Sequence, residues 1–150
     1  MEIRRATLQD IDAIMSELSI HIAACKVNYP EPDKSSVAQT ILSSFHHTAP
    51  MVVFVAQHNG ALIGLACAVV SRYLWSQKVQ CEIRLVYVSP EHRGGTAFAR
   101  LMQAVESWAN DKGADEMSFT LSTGVGDENT AEILQKRGWN RVGIDLVKSL

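Results

Sequence analysis

Apolar residues recur along this chain with two spacings, one near 3.6 and one of two, and the switches between them lay out its elements. Ile3 to Ala6 reads as a short strand. Thr7 then offers an N-cap, with Asp10 three residues on, and Ile11, Ile14, Met15, Leu18 and Ile22 follow at helical spacing. Pro30 and Pro32 end that helix. Ser35 or Ser36 caps a second helix with Val37, Ile41, Leu42 and Phe45 on one face, closed before Pro50. Met51 to Ala56 is a strongly apolar strand, and His58-Asn59-Gly60 carries the Asn-Gly pair favoured in a two-residue hairpin. Leu62 to Val70 returns as the partner strand, with room to extend to Trp75, and Gln80 to Val88 is the third strand of the meander. A helix from about Thr96 to Asp111 presents Phe98, Leu101, Met102, Val105 and Trp108 to a core, and Gly113 stops it. Met117 to Leu121 predicts a strand, Asn129 to Arg137 a helix ended by Gly138, and Val142 to Val147 a final strand.

The predicted order is strand, helix, helix, three strands, helix, strand, helix, strand. A meander followed by crossover helices implies an α/β (α+β) fold, with a mixed sheet of about six or seven strands and helices on both faces. There are no repeats, low-complexity tracts or linkers, and 150 residues suit a single domain over 1–150. Hydrophobic residues make up 47%, enough for a sizeable core. The formal net charge of −2 gives no reason to expect nucleic-acid or membrane-surface partners. Cys25, Cys67 and Cys81 are odd in number and lack a C-x-x-C spacing, so they read as free thiols and not as zinc ligands. No apolar run reaches the roughly 20 residues of a membrane span. With no visible signal peptide, the expected location is cytoplasmic.

Candidate chemistry concentrates in Val86-Tyr87-Val88-Ser89-Pro90-Glu91-His92-Arg93-Gly94-Gly95-Thr96-Ala97. A strand runs into a basic, glycine-bearing loop and a helix starts at once. That order suits an anionic phosphate, because glycines admit close backbone approach and the helix N-terminus adds partial positive charge. Arg93 adds a planar donor fork. Neither G-x-G-x-x-G nor G-x-x-x-x-G-K-[ST] occurs, so the two commonest glycine motifs are excluded. A plain glycine turn capping a helix is the alternative.

His92-Arg93-Gly94-Gly95-Thr96-Ala97 resembles motif A of the GNAT family of N-acetyltransferases, whose [QR]-x-x-G-x-[GA] loop cradles the pyrophosphate of acetyl-CoA. His92 stands where Gln or Arg is usual. The opening Ile3 to Thr7 with Asp10 and Ile14, the Gly60/Ile63-Gly64 hairpin and the element order are similar to that family over nearly the whole chain. The resemblance implies acetyl-CoA as co-substrate without a metal, held by the backbone of Val86, Tyr87 and Val88 along its pantetheine arm. It implies the N–H groups of Arg93, Gly94, Gly95, Thr96 and Ala97 at the pyrophosphate. Asn129 is the candidate for the pantetheine arm from the last helix, with Asp127 nearer the usual place.

The implied reaction is acetyl transfer to a primary amine of a small molecule or a protein, by direct attack in a ternary complex. Glu82 matches a catalytic glutamate that several members keep on the strand before the loop. Strand alternation puts Glu82, Arg84, Val86 and Val88 on one face. Apolar surroundings would raise the Glu82 pKa as a base requires, whereas an ion pair with Arg84 would lower it. The chain departs from the family at Leu134, where a tyrosine usually protonates the leaving thiolate; Ser122, Thr123 and Tyr87 are alternatives by position. That departure leaves open a non-catalytic acyl-CoA-binding or regulatory module. His21, near the end of the first helix, could face the acceptor cleft, with a solvated histidine the preferred reading, and His46-His47 reads as a helix end. Tyr29, Glu31 and Asp33 stand in the segment that forms the acceptor site in the family. Many members dimerise through the C-terminal strand, so the resemblance also raises a homodimer.

Overall fold

The computed structural model describes residues 1–150. Five strands form one sheet in sequence order: β1 (Glu2–Arg5), β2 (Met51–His58), β3 (Ala61–Arg72), β4 (Val79–Val88) and β5 (Glu116–Phe119). The first four are antiparallel neighbours, and β5 joins β4 in parallel. Between them run α1 (Ile11–Ala24), α2 (Lys34–Ser43), α3 (Ala97–Asp111) and α4 (Asp127–Gln135).

The helices divide over the two faces. Val52, Ala66, Ala68, Cys81 and Ile83 pack beneath Leu101, Met102, Val105 and Trp108 of α3, with Leu134 of α4. On the opposite face Val53, Val55, Leu65 and Tyr87 meet Ile14 of α1 and Ile41 of α2. The alternation of β2 explains this split, since successive residues of Val52-Val53-Phe54-Val55-Ala56 serve opposite cores. Asn59 and Gly60 both take positive φ, as the short hairpin turn requires. Behind that hairpin a Cβ at Gly64 would lie 2.7 Å from the Tyr87 carbonyl oxygen, so only glycine lets β3 and β4 approach here.

Three expectations are corrected. Val142 to Val147 is no strand of this sheet: residues 140–150 have no regular structure, and Val142, Ile144 and Leu146 are exposed. Their alternation is real, but no strand of the fold pairs with them, so the sheet has five strands instead of six or seven. The cap of α2 is Asp33, whose Oδ2 accepts from the Ser36 N–H at 2.8 Å, and not Ser35 or Ser36. Helix α2 ends at Ser43, which leaves Leu42 and Phe45 largely exposed.

The third correction is the most consequential. Ile83 pairs with Ala68 and Leu85 with Cys67, so Arg84 is an extra residue in β4. This β-bulge reverses the alternation. Glu82, opposite Val69, shares the α1–α2 face with Leu85 and Tyr87, whereas Val86 and Val88 pack toward α3. Glu82, Arg84, Val86 and Val88 therefore do not share one face.

At the start of the chain, Asp10 fixes the turn into α1. Its carboxylate accepts from both terminal nitrogens of Arg4 at 2.8 Å and from the Thr7 N–H at 2.7 Å. The Arg4 bonds, followed by those from Thr7, outweigh burial and hold its pKa down at about 2. A lowered carboxylate pKa stabilises the fold above the unfolded value, and the contribution disappears as pH falls through the folded one. Asp10→Asn should therefore cost about 1–2 kcal/mol at pH 7 and flatten the loss of stability between about pH 4 and 2, measured by urea unfolding across pH.

Candidate functional site

Beyond the bulge, β4 and β5 part. Their pairing covers only Gln80 to Ile83 against Glu116 to Phe119. From Arg84 to Val88 the outer edge of β4 has no strand beside it. An extended ligand can therefore hydrogen-bond to this edge as a missing strand would. Because β4 and β5 are parallel, the loops after each lie at the same end of the sheet.

The loop after β4 leaves a run of backbone donors without acceptors. Pro90–His92 forms a 3-10 turn, Arg93 is extended, and Gly94 takes φ +81°, a conformation open to glycine. The backbone N–H groups of Gly94, Gly95, Thr96, Ala97, Phe98 and Ala99 donate to no protein acceptor. The first internal bond of the helix start is Arg100 N–H to Thr96 at 3.0 Å. Six successive free donors, four of them on or before Ala97, make a concentrated positive site at the head of α3. Arg93 sends Nε to the Val88 carbonyl at 3.1 Å and lies 6.0 Å above the Tyr87 ring. The Val88 oxygen is thus already occupied by Arg93, a use the sequence did not suggest.

A groove of about 560 Å³ continues from this loop between α3 and α4. Thr96, Arg100 and Arg137 line it with Met102, Met117 and Trp139. Leu134 forms part of its wall and is buried in the α3 core, where a leucine packs without a polar atom to satisfy. Asn129 is exposed on the first turn of α4 and makes no hydrogen bond. Asp127 is committed, accepting from Thr123 Oγ1 and the Gly124 N–H at 2.6 Å each.

Glu82 is half-buried and pairs with Arg84 at 3.2 Å. Five residues further along β4, on the α1–α2 face, a cluster forms that sequence reading missed. Tyr87 is buried with its hydroxyl unpartnered, and burial followed by the nearby Glu17 pushes its pKa up to about 12. Ser89 donates to Glu17 at 2.8 Å. His21 is only partly exposed: its ring stands 5.0 Å from that of Tyr87, and burial, then Arg93, holds its pKa below the usual value. The period-2 signal that would have aimed Tyr87 at α1 is hidden by the bulge.

The α1–α2 loop reaches across to the β5–α4 loop. The Lys26 N–H donates to the Thr123 carbonyl at 2.8 Å, and the Tyr29 hydroxyl meets Ser122 Oγ at 3.1 Å. Gly124, at φ +71°, lies under the Lys26 side chain, whose Cβ would stand 2.7 Å from any Cβ added there. Gly124→Ala should destabilise the protein by about 1–3 kcal/mol and raise the protease sensitivity of residues 25–33, read by denaturant unfolding and limited proteolysis.

The comparisons with known proteins agree with this geometry. The chain spans 99% of its own length and 95% of an aminoglycoside acetyltransferase from an uncultured soil metagenomic sample, solved with trehalose, at TM-score 0.76 and 16% identity. A ribosomal-protein-alanine N-acetyltransferase from Brucella melitensis biovar Abortus 2308 matches with 100% of both chains, TM-score 0.76 and 13% identity. The aminoglycoside enzyme AAC(6')-Iy, solved with a CoA-containing bisubstrate analog, matches at TM-score 0.75 and 18% identity, over 99% of this chain and 97% of that one. No curated protein sequence matches the chain significantly. These structural likenesses share the fold. The model of the acetyltransferase (GNAT) family matches residues 17–139, which contain the parted strands, the glycine loop and both flanking helices, and the chain belongs to that family.

Proposed function

We propose that this chain is an acetyl-CoA-dependent N-acetyltransferase acting on a primary amine in a ternary complex. The observation that carries the reading is the junction of an unpaired β4 edge with a loop of six free N–H donors. A ligand with an extended amide arm and a pyrophosphate at its end has both parts matched there. The backbone of Val86 and Tyr87, with the N–H of Val88, receives the arm. Arg93, Gly94, Gly95, Thr96 and Ala97 receive the pyrophosphate, the first through its two remaining guanidinium nitrogens. Arg100 and Arg137 give the groove beyond the loop the charge a further phosphate needs. Asn129, exposed and free of internal bonds, is the side chain of early α4 able to meet the arm, whereas both Asp127 oxygens are engaged.

When bound, acetyl-CoA supplies a thioester whose carbonyl carbon accepts the amine nitrogen as the carbon–sulfur bond breaks. The β4 edge offers main-chain N–H groups to the oxygen that gains charge. Glu82, one residue before the last paired position of β4, takes the proton that the attacking nitrogen gives up. Leu134 cannot donate to the leaving sulfur. Thr123 Oγ1 is occupied by Asp127 and Tyr87 is buried under α1, so the Ser122 hydroxyl, paired with Tyr29, is the remaining protein donor near the opening. The same Leu134 supports the second reading, an acyl-CoA-binding module without turnover.

Calorimetric titration with acetyl-CoA and CoA tests the first part. Wild-type binding should fall in the micromolar range, at about −8 kcal/mol. Gly95 has a φ outside the left-handed region, and a Cβ there meets the His92 carbonyl oxygen at 3.4 Å, so Gly95→Glu should fold normally. That carboxylate among the free donors should weaken binding by about 100-fold or more. Absence of wild-type binding would overturn the assignment, and binding without thiol release from any amine would favour the module. Glu82→Gln should lower kcat/KM by about 100-fold near pH 7 and by less at high pH, where the amine is already neutral. Full activity at every pH would remove the base role.

A further inference from the structure

A second cavity, of about 550 Å³, lies on the α1–α2 face of the sheet. Its size falls in the range of small-molecule sites. The sheet supplies Val53, Leu65 and Leu85 as its floor, and Leu18, Val37 and Ile41 wall it from the two helices. It also contains Cys67, whose thiol burial holds protonated. Arg84 and Leu85 belong both to this cavity and to the stretch of β4 where the parted strands begin. The cavity therefore opens beside the edge at which the acetyl group would be delivered.

Its charges are few and unevenly placed. Glu31 and Asp33 lie in the loop between the helices, and Asp33 is spent on capping α2, accepting from both the N–H and the hydroxyl of Ser36. Arg84 is the cation, and it stands at the junction with the cleft. The bulge leaves it without a backbone partner opposite. Its guanidinium makes a single ionic contact, to Glu82 at 3.2 Å. An apolar chamber repels a polyhydroxylated or polycationic body. A cation at its inner mouth repels an ammonium and offers a planar fork to a carboxylate.

Resting on the acetyl-transfer reading above, we propose that the acceptor is a free α-amino acid with an apolar side chain. The side chain enters the chamber over Leu65 and Leu85, the carboxylate meets Arg84, and the α-amine faces the β4 edge. There it lies within reach of Glu82, the partner of Arg84. In the transfer, the α-nitrogen bonds to the acetyl carbon, the carbon–sulfur bond breaks, Glu82 takes the nitrogen's proton and CoA leaves as thiolate. The products are an N-acetyl amino acid and CoA. The apolar chamber sets which side chain is accepted, and Arg84 sets the requirement for the carboxylate.

The test is thiol release with acetyl-CoA and L-phenylalanine, L-leucine or L-methionine. Their decarboxylated amines, spermidine and neamine serve as competing acceptors, and calorimetry with acetyl-CoA runs in parallel. The wild type should prefer each amino acid to its decarboxylated counterpart by at least about tenfold in kcat/KM. Arg84→Met, at an exposed position, should bring that ratio close to one while leaving acetyl-CoA affinity in place. Leu18→Trp, which fills the chamber, should raise KM for the amino acids with acetyl-CoA affinity unchanged. Acetyl-CoA binding with turnover confined to polyamines or neamine, or with no turnover of any amino acid, would overturn this proposal alone. A ratio unmoved by Arg84→Met would do the same. Loss of wild-type acetyl-CoA binding would overturn the parent reading and this one together.

Discussion

One extra residue in β4 decides the shape of this molecule's working surface. Without Arg84, β4 would run in register with β3 along its whole length and keep one phase of alternation. With it, the strand changes phase between Ile83 and Leu85, and the pairing to β5 stops at that level. A bulge increases local twist and bends the strand that carries it. The parted edge, the inward turn of Tyr87 toward α1 and the position of Arg84 between cleft and chamber are three expressions of that one insertion. The core tolerates it because the neighbours are interchangeable in kind: Leu85, Val86, Tyr87 and Val88 are all apolar or aromatic, so either phase buries suitable side chains.

The two faces of the sheet then take different duties. On the α3 side Leu101 and Val105 are fully buried, and they hold the head of α3 rigidly against the end of β4. That support leaves the amides from Gly94 to Ala99 without a protein acceptor. On the α1–α2 side packing is looser, with a chamber between helices and sheet and a loop that closes on the β5–α4 loop through Lys26 and Tyr29.

Much of this was legible in the residues. Asn59-Gly60 marked the hairpin, the face of α3 followed from Leu101, Met102, Val105 and Trp108, and the glycine loop between strand and helix marked where the free backbone donors lie. What was hidden had physical reasons. The continuous apolar run Leu85 to Val88 conceals a phase change, since period two is visible only where polar residues alternate. That single ambiguity misplaced the face of Glu82 and left His21 in solvent. The cap of α2 was missed because Ser36 acts as donor to Asp33, so the serines signalled the cap without being it. Val142 to Val147 has strand periodicity, but pairing depends on a neighbour, and local sequence does not encode one.

The free donors at the head of α3 have a consequence for the chain's hydrogen-exchange behaviour. An amide that bonds to nothing exchanges its hydrogen with water nearly as fast as in an unfolded chain, whereas those of the buried middle of α3 exchange only when the structure opens. Gly94 to Thr96, exposed as well as unbonded, therefore form a short window of fast exchange inside an otherwise protected strand–helix unit. An anion seated there would close that window directly, by occupying the N–H groups themselves, and would be recorded in the backbone of the loop.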